Sequence, residues 1–281
     1  MAPKPAVTES GHYLSRVATL VWLSLAQLVR TPTHSRRADA ARRASRHGLW
    51  LAAGLGAAII VLMFLLDVWE ISQMPTRGSP SLWWLRIVTD FGKDEYVLAA
   101  LGVLLIAVAL AAPALRGIQR ALLLRLGTRL QFLFFAVAFA NAVTEVLKYV
   151  VGRGRPFVGG EANAFHFSHF AGIPAYYSFP SGHATTAFAL AFAVAAVWPQ
   201  TRVAMAIYAL VIAASRLVLL AHHPSDVVAG ALVGIIGAMV VRYWFAARRL
   251  GFAIQRDGSI VALVGPSSGR LKRVAGGASA P

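Results

Sequence analysis

Residues 48–66, GLWLAAGLGAAIIVLMFLL, run without one charged side chain. Crossing the hydrocarbon of a bilayer takes roughly 17–25 mostly apolar residues. In lipid, only helices and closed barrels satisfy every backbone N–H and C=O internally. This run therefore reads as a membrane-spanning helix, and five more segments read the same way. Tyr96–Leu115 is uncharged, and Leu130–Val150 carries only Glu145 and Lys148. Ala184–Trp198 follows a glycine-histidine pair, Val203–Ala221 holds only Arg216, and Val227–Val241 precedes Arg242. The expected fold is an all-α integral membrane protein, a six-transmembrane-helix bundle with an interfacial N-terminal helix. Composition agrees: 58% of the 281 residues are hydrophobic and 14% are charged. No cysteine occurs, which excludes disulfide and thiolate chemistry.

The formal net charge of +16 suits anionic lipid headgroups and orientation signals in so apolar a chain, and no nucleic-acid partner is expected. Twenty lysines and arginines fall in the N-terminal arm, residues 116–129, Arg202 and the segment from Arg242 onward. The alternate connections hold seven: Arg77, Arg86, Lys93, Lys148, Arg153, Arg155 and Arg216. By the positive-inside rule both termini are cytoplasmic. Residues 1–47 form a basic cytoplasmic arm. Its apolar stretch near 17–29 is broken by Ser24 and Gln27, so it reads as an interfacial amphipathic helix rather than a signal peptide or a further span. Residues 48–245 are the membrane domain. Residues 246–281 are a basic cytoplasmic tail with a small hairpin at 252–264, turned at Asp257-Gly258, and a disordered end from residue 266. The extracytoplasmic segment 67–95 holds Trp69, Trp83 and Trp84, which fit an aromatic belt at the interface.

The stretch LLAHHPSDVVAG, 219–230, puts imidazoles and a carboxylate where apolar chain would otherwise continue. Ionisable groups are costly beside lipid and default to a functional reading. Lys148 and Arg155 stand where the third span ends, and Pro180, Ser181, Gly182 and His183 where the fourth begins. Ser215 and Arg216 close the fifth, while His222 and Asp226 open the sixth. All share the membrane face opposite the basic loops. Lys148, Arg155 and Arg216 offer three cations, two of them planar forks that match phosphate oxygens. Ser181 and Gly182 precede a helix, whose first N–H groups favour anions. His183 and His222 are suited to acid, base or nucleophile roles near neutrality. Asp226, four residues after His222, can fix an imidazole tautomer.

KYVVGRGRP (148–156) fits K-x6-R-P, PSGH occupies 180–183, and SRLVLLAHHPSD (215–226) fits S-R-x5-H-x3-D. Together they resemble the three-part signature of the type 2 phosphatidic acid phosphatase family, which also includes vanadium-dependent haloperoxidases. The resemblance implies a metal-independent phosphatase domain over 48–245 that needs no cofactor and no metal. Its substrate would be a lipid phosphate or pyrophosphate: undecaprenyl pyrophosphate, phosphatidic acid or phosphatidylglycerophosphate, or lipid A phosphate. His222 would attack phosphorus and form a phosphohistidine. His183 would protonate the leaving oxygen and then activate water, and Asp226 would orient His222. Lys148, Arg155, Arg216, Ser181 and Gly182 would hold the phosphate oxygens. The implied setting is a multi-pass bacterial inner-membrane protein with its site on the extracytoplasmic face. A lipid phosphotransferase using the same intermediate is the alternative, and an anion or lipid transporter a weaker one.

Several neighbouring residues have plainer readings. His223 flanks the motif. Arg153 assists phosphate or sits on the rim. Glu145 positions Lys148 through an i,i+3 ion pair. His166 and His169 lie in a loop that can touch a headgroup, and no spacing supports a metal site.

Overall fold

The computed structural model describes residues 7–263 except 157, 160–162 and 256. The disordered end expected from residue 266 lies outside the described residues. Nine α-helices carry the described chain. They are α1 (Val7–Val29), α2 (His34–Leu65), α3 (Asp67–Gln73), α4 (Trp83–Asp90), α5 (Asp94–Ala111), α6 (Gly117–Val151), α7 (Gly182–Val197), α8 (Arg202–Val218) and α9 (Pro224–Ala247). A two-stranded antiparallel hairpin follows, β1 (Phe252–Ile254) against β2 (Ile260–Ala262), with Ala253 opposite Val261.

Among the described residues, five helical segments are long and apolar enough to cross a membrane: α2, α4 with α5, α6, α8 and α9. The sixth apolar helix, α7, has only 16 residues. At about 1.5 Å per residue it reaches roughly 24 Å, somewhat less than a bilayer core of ~30 Å. Protein surrounds much of it: Thr185, Thr186, Ala187, Ala189 and Ala193 are fully buried. The outer helices differ. Ile60, Val61, Val103, Ile106, Ile207 and Leu210 are exposed, which suits side chains that face lipid tails.

Helix α9 is the centre of the bundle and packs on α7, α2 and α6. Close approach is made possible by small residues, as in membrane helix packing generally. A methyl group on Gly230 would collide with the Ser181 carbonyl oxygen. One on Gly234 would lie 3.0 Å from Ala189 N, and one on Gly237 2.9 Å from Ala140 Cβ. Phe132 and Phe245 meet edge to face at 5.5 Å and close the core at the end far from the motifs.

Local signals set the helix ends that matter. Gly152 stops α6 in a left-handed conformation, φ 57°, with its N–H on the Lys148 carbonyl at 2.9 Å. A side chain there would collide with the Ser168 backbone, so glycine is required on both counts. Helix α9 starts with Pro224 in its first turn, and Asp226 accepts the His223 N–H at 2.9 Å. The basic stretch 34–48 is not a separate arm: it is the first half of the continuous 32-residue α2.

Candidate active site

The three motif segments meet at one end of the bundle. The chain crosses from motif to motif through backbone contacts: Ser181 N–H donates to the Asp226 carbonyl at 3.0 Å, and Arg155 N–H to Ala175 at 2.9 Å. The Arg155 guanidinium donates to Pro174 O at 3.1 Å and faces Ala221 O at 3.5 Å. Lys148 extends over the start of α7, where a methyl on Gly182 would stand 3.1 Å from its Nζ. Glu145 holds Lys148 from one turn below at 2.5 Å, the ion pair expected from their spacing.

Arg216 is 8% exposed and donates through Nη1 to Thr89 Oγ1 at 2.8 Å. The same hydroxyl accepts from Ser215 Oγ at 3.0 Å. Thr89, on α4, thus aims Arg216. Three polar atoms here are buried without a partner: Ser181 Oγ, His183 Nε2 and Arg216 Nε. Buried polar groups are nearly always paired, so such a set marks a place built for something else. A hydroxyl, an imidazole and a guanidinium around the first turn of a helix, with a lysine above it, match the oxygens of a phosphate.

His222 is 3% exposed. Its Nδ1 lies 2.8 Å from the Ser178 carbonyl, which fixes the proton on Nδ1 and leaves the lone pair on Nε2. Burial first, and then the charges of Arg216 and Arg155, push its pKa well below the ordinary imidazole value. The ring is therefore neutral at physiological pH, the state a nitrogen nucleophile needs.

Asp226 does not take the expected position on His222. Its nearer oxygen is 3.9 Å from Nδ1, beyond hydrogen-bond range. The carboxylate is occupied elsewhere: Ser178 Oγ donates to it at 2.5 Å, His223 N–H at 2.9 Å and Arg153 Nη1 at 2.6 Å. Asp226 reaches His222 through Ser178, whose hydroxyl it holds and whose carbonyl holds the ring.

Arg153 is not on the rim. It is completely buried and forms the hub behind the motifs. It pairs with Asp226 and, at 2.7 Å, with Asp67 from α3, and donates to Ala164 O and Ser225 Oγ. Asp67 also accepts the Ser225 N–H at 3.0 Å and its hydroxyl. Glu70, one turn on, is buried with both carboxyl oxygens unpartnered. Its pKa is pushed up to about 7 by burial, then by Asp67 and Asp226. His223 is fully buried behind the same cluster. His169 sits against Val150 O at 3.2 Å and His166 beside the Tyr176 ring, both in the loop above α6. Among the described residues no group of three or more His, Cys, Asp or Glu side chains could hold a metal ion.

Asp67, Ser178 and Thr89 are the residues that motif spacing did not single out. One signal was present for Asp67: a carboxylate at the very edge of an apolar run is rarely idle. Ser178 and Thr89 act through a carbonyl and a hydroxyl in segments with no pattern of their own.

Residues 129–250 match the PAP2 superfamily. The match covers less than half of the chain. The lipid A 1-phosphatase of Rhizobium johnstonii is 38% identical over 127 residues, which cover 45% of this chain and 52% of the relative. The lipid A 1-phosphatase of Rhizobium etli is 36% identical over the same length, 55% of that protein. The chain thus spans about half the length of the curated relatives it matches. No solved structure matches. The PAP2 match begins within α6 and ends just past α9. It therefore contains all eleven signature residues, while Asp67, Glu70 and Thr89 reach the same site from outside it.

Proposed function

We propose that this protein is a membrane-embedded lipid phosphate phosphatase that works through a phosphohistidine on His222. The observation that carries this reading is the unpartnered set Ser181 Oγ, His183 Nε2 and Arg216 Nε beside a neutral His222 whose Nε2 lone pair is available. Lys148, Arg155, Arg216 and the first N–H groups of α7 bind the equatorial oxygens, where charge spreads in phosphoryl transfer. His222 Nε2 attacks phosphorus, the P–O bond to the lipid breaks, and His183 gives its proton to the leaving oxygen. Water then attacks phosphorus while His183 takes its proton. The P–N bond breaks, and inorganic phosphate departs. Asp226, through Ser178, keeps the His222 ring in the attacking tautomer.

Phosphorylated lipid A is the leading substrate, because both relatives carry that activity in their names. Phosphatidic acid, phosphatidylglycerophosphate and undecaprenyl pyrophosphate share the same reacting group. The twenty-to-seven distribution of basic residues supports a site on the extracytoplasmic face. The test is phosphate release from this lipid panel in detergent with EDTA present. Activity survives the chelator and falls on the order of 10³-fold or more in His222→Ala. A His222→Ala protein at the wild-type rate ends the proposal.

A further inference from the structure

The end of the bundle away from the active site holds a second set of uncompensated cations around apolar space. Between the first half of α2 and the last turns of α9 lies a cavity of about 400 Å³. Arg37 and Arg248 line it together with Ala40, Ala44, Tyr243 and Trp244. Arg248 is 7% exposed; its guanidinium stacks 3.6 Å from the Trp244 ring, and its Nε has no partner. Arg30 closes the group by donating to the Arg248 carbonyl at 2.8 Å. Among the described residues no carboxylate pairs with Arg30, Arg37 or Arg248. Burial and repulsion from Arg37 and Arg30 weaken the hold of Arg248 on its proton, a strain that a bound anion would relieve.

A second cavity, about 470 Å³, lies on the other side of Trp244 and Val240. Leu25, Leu28, Phe135 and Phe139 line it, and its walls carry no charge. An inorganic anion would leave both apolar walls uncovered. A molecule with a phosphate diester and acyl chains covers them while its oxygens meet the guanidinium forks.

The depth fits as well. Trp244 is roughly 30 Å along α9 from the start of that helix beside His222, about one hydrocarbon thickness. The arginines therefore lie at headgroup level of the opposite leaflet.

We propose that Arg30, Arg37 and Arg248, with the cavities flanking Trp244, form a binding site for an anionic glycerophospholipid in the leaflet opposite the active site. The site is separate from catalysis and would hold α1, α2 and α9 together at that interface.

Native mass spectrometry of the detergent-solubilised full chain tests this with phosphatidylglycerol and phosphatidylcholine of matched chains. The wild type retains phosphatidylglycerol at least tenfold in preference, and His222→Ala does so equally, which separates this site from the catalytic one. Each arginine near a phosphate contributes about fivefold. Arg37→Gln, an exposed position, lowers retention about fivefold, and Arg37→Gln/Arg248→Gln about 25-fold. Arg120→Gln, the same charge loss at an exposed position of α6, changes nothing. Equal retention of the two lipids by the wild type overturns the proposal. So does wild-type retention in Arg37→Gln, or displacement of phosphatidylglycerol by millimolar inorganic phosphate.

Discussion

Arg153 has no solvent to screen it, so its partners decide whether the cluster behind His222 holds. Asp67 supplies one of its two carboxylates and also takes the Ser225 N–H at the start of α9. Removing one partner of a buried pair costs about 3–5 kcal/mol, because the other charge is left uncompensated. Asp67→Ala should therefore unfold earlier in denaturant by about that amount, and Asp67→Asn by less, since its amide oxygen still accepts from Ser225. Asp67 hydrogen-bonds Arg153 and Ser225 and none of the anion-binding side chains. So in phosphate-release kinetics kcat should fall about tenfold or more in Asp67→Asn while KM stays within a factor of about two. A KM effect without a kcat effect would deny it the positioning role. Glu70 gives a pH-dependent test. Burial first, and then the charges of Asp67 and Asp226, raise the Glu70 pKa to about 7 from 4.5. A raised carboxyl pKa favours folding fully below the unfolded value and loses that contribution as pH rises through the folded one. Glu70→Gln removes the loss. Its thermal midpoint should match the wild type near pH 5 and exceed it at pH 8, by the equivalent of about 1 kcal/mol. None of this was legible in the sequence, although the eleven signature residues were. Signature spacing is local, whereas Asp67 lies 158 positions from Ser225 and meets it only because α3 folds back over α9.

His183 lies in the first turn of α7 and His222 two residues before α9 begins, so in the proposed reaction the separation of these two helix starts is part of the chemistry. Gly230 sets it: a methyl there would strike Ser181 O and lie 3.0 Å from Ala184 Cβ. Protein interiors do not give by such amounts without shifting backbone. Gly230→Ala should push the first turn of α7 outward and cost both stability and activity, the latter by about tenfold or more, since displacements near 1 Å can cost 10²-fold. Gly102→Ala in α5, where nothing lies within 4 Å, is the control and should be neutral or slightly stabilising. Comparing thermal midpoints and turnover of the two variants decides the matter. Equal behaviour would mean that α7 is free to yield. Span lengths were legible at this scale because an apolar run without charges has few alternatives in lipid. The α2 start was not. His34–His47 is rich in arginine and reads as a detached arm, yet alanines at 40, 41 and 44 keep it helical and let Ala40 and Ala44 pack against α9-side residues.

The charge pattern and α1 together support one orientation of the whole molecule, and the same geometry says how to test it. Helix α1 touches α5, α6 and α9 all at one level: Tyr13 donates to Leu110 O, Gln131 to Ser24 Oγ at 2.7 Å, and Trp244 Nε1 to Leu28 O at 3.0 Å. Gln131 is roughly 25 Å below Lys148 along α6, close to the ~30 Å of a hydrocarbon core. A helix tied at one depth to three others lies across the bundle instead of passing through it. Its level also holds Arg30 and Arg248, and Arg120 and Arg116 lie roughly 17–22 Å further out at the start of α6. The exposed tryptophans Trp69, Trp83 and Trp84 lie at the active-site end. Positive charge favours the cytoplasmic side, so the active-site end should face outward. The absence of cysteine makes labelling clean. Ser72→Cys, at an exposed position of α3, should react with a membrane-impermeant maleimide in spheroplasts with sealed inner membranes. Ser35→Cys, at an exposed position of α2, should react only after permeabilisation. The reverse pattern would place the phosphate site in the cytoplasm and remove lipids of the outer leaflet from its substrates. Labelling of both residues without permeabilisation would mean that α2 does not cross the membrane between them.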